Sequence, residues 1–278
     1  GGAWDTLIGR QLPPASRIER TKVVKNSRDG YLEFADILRD KRYGEEFPIA
    51  SLFPTKTAWN GQVVIWISGH GKSSLFDEQN APRAEIRRLL ENGVSVISAD
   101  LLNQGEFLGG KQPAPQTRTV ANPREFAGYT HGYNSTLFTR RVHDILGLIA
   151  FVVQHDERPK NVTLVGVEGG GILAAAAAAQ ASEQLDQVVC DTQGFRFRSL
   201  TSYRDPRYCP GAVKYGDVPG LISLIAPCKL HLLGEQGRIP AVITASYRAA
   251  DAEGKVQSSV STPQETPAAI IDWLLKSP

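Results

Sequence analysis

Val162-Thr163-Leu164-Val165-Gly166-Val167-Glu168-Gly169-Gly170-Gly171-Ile172-Leu173, continued by the six alanines Ala174 to Ala179, decides how this chain folds. A short β-branched run of this kind reads as a buried strand. It gives way to glycines around one glutamate and then to the residue with the highest helix propensity. The pattern predicts a strand, a sharp turn and a helix. Glycines lacking Cβ let the strand and helix approach closely, and the alanines let the helix lie flat against a sheet. Glu168 sits at the apex, where such turns hold a residue in strained backbone geometry.

The same alternation extends on both sides. Gln62 to Ser68 and Val94 to Asp100 are continuous apolar runs of the kind found in central parallel strands. Gln187 to Asp191 and Lys229 to Glu235 read as two more, and Lys255 to Val260 as a last strand. Helices are predicted over Pro82 to Glu91, where Ile86, Leu89 and Leu90 share one side, and over Leu137 to Gln154, Pro240 to Ala252 and Pro267 to Lys276. Upstream, Lys22 to Lys25, Tyr31 to Phe34 and Phe47 to Pro54 suggest an antiparallel edge. The expectation is an α/β class fold with a mostly parallel central sheet of about eight strands and helices on both faces. Residues 1–20 are expected as an extended lead-in and 21–278 as a single domain.

Composition excludes several function classes. The 278 residues are 41% hydrophobic and 22% charged, enough for one large core, and a formal charge of +2 argues against a nucleic-acid partner. The longest apolar run near a helix, Ile145 to Val153, is too short to span a bilayer. Cys190, Cys209 and Cys228 lack C-x-x-C spacing, so no metal site is indicated, although one pair could form a disulfide. No cofactor is implied either. The Gly69-His70-Gly71-Lys72-Ser73 stretch would need its first phosphate-loop glycine at Trp66, and Gly166 to Gly171 lacks the G-x-G start of a dinucleotide fingerprint. With no methionine and a Gly1-Gly2 opening, the chain is expected to be processed or part of a longer protein.

From about Lys22 to Leu275 the order of elements resembles the α/β-hydrolase superfamily, and within it the acetyl xylan esterase and dienelactone hydrolase branch. Four segments carry the resemblance. Gly69-His70-Gly71 looks like the oxyanion loop, and Val94 to Phe107, with Asp100, looks like the following strand and loop. Gly166 to Gly170 looks like the nucleophile elbow, with Glu168 where G-x-S-x-G places serine. Leu230 to Pro240 looks like the acid loop, with Gly237 at the aspartate place; the segment Ser261 to Thr266, where the base should stand, contains no histidine. The resemblance implies an ester hydrolase frame, a small-molecule or carbohydrate ester ligand, a possible companion esterase domain, and a secreted or periplasmic bacterial setting.

The strands ending at Glu168, Asp191 and Glu235 are neighbours in that family's sheet, so three carboxylates are expected at one edge. Crowded carboxylates either bind a cation or hydroxyl-rich ligand and do acid/base work, or are each neutralised by Arg196, Arg198 or Arg238. The second is preferred except for Glu168, an unusual place for charge to accumulate, whose carboxylate could be held ionised by the Gly169 N–H and the dipole of the following helix. His131, in the long excursion between Gly105 and Asn134, is a candidate replacement base, and His70, Gly71, Gly169, Asp100 and Glu235 are candidate pocket residues. Two functions follow. One is a non-catalytic binding or structural domain that has lost its Ser-His-Asp triad. The other is a working ester hydrolase using Glu168 with Asp191 and His131 or His70.

Overall fold

The computed structural model describes residues 2–119, 127–262 and 265–276. Its centre is one sheet, which among the described residues has nine strands in the order β1-β2-β3-β5-β4-β6-β7-β8-β9. They are β1 (Ile18–Arg28), β2 (Tyr31–Asp40), β3 (Glu45–Pro54), β4 (Gln62–Ser68), β5 (Ser95–Ala99), β6 (Asn161–Val167), β7 (Gln187–Asp191), β8 (Lys229–Leu233) and β9 (Val256–Ser258). Strands β1, β2 and β3 form an antiparallel meander that joins β5 antiparallel, and the rest are parallel. The predicted meander, crossovers and mostly parallel sheet are all present. One strand beyond the expected eight comes from β1 being longer and more distinct than its apolar content suggests.

The helices are α1 (Gly2–Ile8), α2 (Ala84–Glu91), α3 (Ala127–His131), α4 (Leu137–Val153), α5 (Gly171–Ala181), α6 (Asp217–Ile222), α7 (Ala241–Ala249) and α8 (Thr266–Lys276). Helix α5 is apolar all round because it is covered all round, and Ala174 to Ala178 are fully buried. On one face of the sheet the core contains α4 and α5; on the other it contains α2 and α8. Among the described residues no helix is long and apolar enough to cross a membrane. Residues 120–126 of the long excursion lie outside the described residues.

The extended lead-in needs correction. Residues 2–8 are helical, with Trp4 and Ile8 buried. So short a helix is not stable alone, and tertiary contacts hold it. The Trp4 indole N–H donates to the Tyr215 carbonyl at 3.2 Å, and His143 Nε2 lies 2.6 Å from the Ile8 carbonyl oxygen.

His143 and its neighbour Asp144 titrate in opposite senses. Burial pushes the His143 pKa down to about 4, against the opposing bond to Ile8, so the ring is neutral at pH 7. Its contribution to stability is present above the unfolded value near 6.5 and is lost as pH falls towards 4. Burial pushes Asp144 up to about 7, opposed by the hydrogen bond from the Leu102 N–H. A raised carboxyl stabilises below its unfolded value and loses that stability as pH rises to 7. Between about pH 4 and 6.5 the two slopes offset one another. Asp144→Asn, which keeps an acceptor for Leu102, should therefore gain stability over the wild type by up to about 1.4 kcal/mol per pH unit between pH 4 and 7. Urea unfolding at several pH values measures this; a difference independent of pH would refute it.

Candidate functional site

The turn after β6 is the expected elbow. Glu168 has φ +49°, in the left-handed region that a glutamate enters only under constraint. The constraint is tight packing beneath it: a Cβ on Gly171 would lie 1.9 Å from the Asp191 carbonyl oxygen, so α5 starts pressed onto the end of β7. In the β4–β6 pairing Ser68 stands opposite Val167, one residue short of Glu168.

That register gives the Glu168 carboxylate its partners. Ser68 Oγ donates to Oε2 at 2.9 Å, and Arg83 Nη1, just before α2, donates to Oε1 at 3.3 Å. Arg83 and Glu168 are both partly exposed, so the ion pair contributes little by itself. The loop after β4 is closed in the same way. Gly69 N–H donates to the Glu168 carbonyl (3.0 Å), His70 N–H to Ser68 Oγ (3.1 Å) and Lys72 N–H to Asp100 Oδ1 (2.9 Å). Gln104 Nε2 reaches the Gly69 carbonyl at 3.2 Å. The amides of Gly69, His70 and Lys72 are thus engaged within the protein. Gly169, at φ +89°, is exposed beside them.

The three carboxylates are set at neighbouring strand ends, but each has its own partners. Glu235 is held by both guanidinium nitrogens of Arg196 and by Thr192 Oγ1, at 2.6 Å from the latter. Arg196 was among the arginines expected to neutralise this edge; Arg198 and Arg238 are not the partners found for Glu235 or Glu168. Asp191 accepts the Gln193 N–H at 3.0 Å, and burial raises its pKa against that bond. Among the described residues no three His, Cys, Asp or Glu side chains gather as metal ligands.

No histidine side chain completes the site. His70 is exposed, and its contribution is its backbone N–H. His131 packs against the rings of Tyr203 and Tyr208, with centroids 6.3 and 5.4 Å away, and among the described residues neither ring nitrogen has a hydrogen-bond partner. His231 Nε2 lies 2.8 Å from Ser259 Oγ inside the β8 face, and burial lowers its pKa. Asp100, expected as a pocket residue, is only 1% exposed and braces the loops from below. Gly71 is buried beside it. The cysteines are free and buried, and burial pushes the Cys209 and Cys228 thiols up to about 12 and Cys190 further, which leaves them unreactive. Sequence reasoning missed Ser68 and Arg83. Ser68 could have been found by pairing the ends of β4 and β6; Arg83 carries no signal of its own.

Solved structures of similar fold include esterases. An assigned acetyl xylan esterase of Bacteroides fragilis superposes with a TM-score of 0.64 at 13% identity, covering 94% of this chain and 72% of its own. The chain has the α/β-hydrolase fold. A promiscuous CE15 esterase from a marine bacterial metagenome gives a TM-score of 0.64 at 10% identity, over 98% of this chain and 89% of that one. A glucuronoyl esterase of Solibacter usitatus gives 0.59 at 12% identity, over 92% and 86%. No family model matches the chain, and no curated protein matches its sequence. In α/β-hydrolase terms, β2 to β9 supply the eight-stranded frame and β1 adds an outer strand.

Proposed function

We propose that this chain is an esterase-type α/β-hydrolase domain whose hydrolytic site has lapsed, and that it acts as a binding or structural domain. The observation that carries the reading is the occupancy of the Glu168 carboxylate by Ser68 and Arg83. A nucleophile or general base must present a free lone pair to substrate and pass a proton on. Glu168 is pinned by a hydroxyl on one oxygen and a guanidinium on the other, and among the described residues no histidine is a hydrogen-bond partner to take a proton onward. The esterase fold of its structural neighbours supports descent from an ester hydrolase, and the vestigial edge suits a small-molecule or carbohydrate ester held without turnover. A companion esterase domain would supply the chemistry.

The test is hydrolysis of p-nitrophenyl acetate and of acetylated xylan by the wild type, Glu168→Gln and Glu168→Ser. All three should match the buffer blank. Serine alone is not expected to rescue the site, because a triad stripped of its histidine loses about 10⁶-fold in turnover. Wild-type turnover that disappears in Glu168→Gln would overturn the proposal and establish an unconventional carboxylate site.

A further inference from the structure

The α4 side of the sheet is filled by α4 only as far as that helix runs. Beyond Val153, at the amino ends of the parallel strands, two rows of the same sheet face are left without a covering helix. Strand register defines them: Phe34 pairs with Ser51 and Ser51 with Ile97, while Leu32 pairs with Phe53 and Val63 with Ser95. Each row therefore holds one serine among large apolar side chains, and the two serines lie on a diagonal. The dent they leave is the floor of a recess of about 290 Å³. Phe34, Phe53, Trp59 and Phe151 wall it, all half-buried.

We propose that this recess binds a neutral, planar aromatic small molecule, at a site separate from the elbow. Size sets the first limit. An apolar cavity of roughly 150 Å³ holds benzene, so this one suits a fused-ring or substituted aromatic of about ten to twelve non-hydrogen atoms. An α-helix, about 10 Å across with its side chains, is too wide to enter. Charge sets the second. Arg20 lies at the rim over the Phe34 and Phe151 rings, at 5.6 and 5.8 Å, but its charge is matched by Asp36 at 2.6 Å. His155, opposite, accepts the Glu157 N–H through Nδ1 at 3.2 Å. Two charges of opposite sign remain, the Lys25 ammonium 5.5 Å from the Phe34 ring and the Glu157 carboxylate in the lining, so the recess has no net charge that favours an ionic guest.

Hydroxyls set the third limit. Among the described residues Ser51 Oγ has no protein partner, and the bond from Ser95 Oγ to the Gln62 carbonyl is long at 3.4 Å. The floor can thus bond one hydroxyl or ring nitrogen of the guest, while the aromatic walls supply apolar contact. Ser95 begins β5 and Val63 is the second residue of β4, whereas Glu168 follows the end of β6, so recess and elbow are at opposite ends of the sheet.

The probe is 2-naphthol, followed by titration calorimetry and by NMR transfer from the Trp59 indole. Saturable one-to-one binding with contacts to Trp59 is expected. Ser51→Leu fills the floor and should weaken binding at least ~10-fold without lowering the thermal midpoint; if it does not fold, Ser95→Val makes the same test. Glu168→Gln should bind as the wild type does. Absence of saturable binding, equal affinity in the floor variant, or loss of binding in Glu168→Gln would each overturn the proposal.

Discussion

Gly171→Ala should cost at least about 4 kcal/mol of folding stability, the largest effect of any single methyl group added to this chain. An ideal Cβ at Gly171 would lie 1.9 Å from the Asp191 carbonyl oxygen, 2.6 Å from its carbon and 3.1 Å from its nitrogen. All three are backbone atoms, so no rotamer change relieves the contact. Nor can either element move. Helix α5 is wedged between the sheet and α4 by buried alanines, and β7 is paired on both sides, by β6 and β8. The Cys190 thiol also donates to the Gly171 carbonyl at 3.3 Å, so shifting the helix start breaks a buried bond as well. Gly254→Ala is the control: nothing lies within 4 Å of its Cβ position, and its stability should change by less than about 0.5 kcal/mol. Urea unfolding of both variants makes the measurement. A Gly171→Ala protein within about 1 kcal/mol of wild type would show that the elbow is not the rigid junction its packing describes.

How much of this could be read from the sequence depends on whether the responsible interaction is local. The strand, turn and helix around Glu168 were legible because β-branched residues, glycines and alanines each impose their own backbone preference over a few residues. Strands β4, β5, β7 and β8 were legible as apolar runs buried on both faces. Helix α1 was not, although Trp4, Leu7 and Ile8 have helical spacing: seven residues carry too weak a signal, and the energy comes from Tyr215, Phe197 and His143. Strand β1 was read as shorter than it is because an edge strand facing water has no apolar alternation, and Val23 and Val24 are exposed. In the site, the glutamate at the serine position was legible from the motif alone. Its partners were not, since Ser68 and Arg83 lie 100 and 85 residues away, and Ser68 meets it through strand pairing and Arg83 from the start of α2. Arg196 was within reach of sequence reasoning because it follows β7 by a few residues and so stays near the strand ends.

Asp100→Ala should cost about 3 to 5 kcal/mol, because the side chain organises two loops at once. Its Oδ1 accepts the Lys72 N–H at 2.9 Å, and its Oδ2 accepts the Glu106 N–H at 3.0 Å and the Lys72 ammonium at 2.6 Å. The carboxylate is 1% exposed, so every one of these bonds replaces water that cannot return without opening the structure. Cβ atoms on Gly71 and Gly105 would come within 2.2 and 2.1 Å of the carboxyl group, which shows how closely both loops fold over it. Removing it leaves two buried amides without their acceptor and the Lys72 ammonium with Glu106 alone, and breaking a buried pair from one side is the costly way to break it. Asp100→Asn keeps the shape and should recover part of the loss. Hydrogen exchange gives the sharper readout: the amides of Lys72 and Glu106 should exchange faster in the alanine variant, while those of β7 keep their protection. A loss below about 1 kcal/mol with unchanged exchange would remove Asp100 from this role. The consequence reaches the elbow. The loop after β4 is fixed at one end by Asp100 and at the other by Ser68 and the Glu168 carbonyl, so its amides are bound by the protein at both ends. A loop clamped in this way supports the fold, and freeing the amides of Gly69, His70 or Lys72 would require breaking the contacts that hold it.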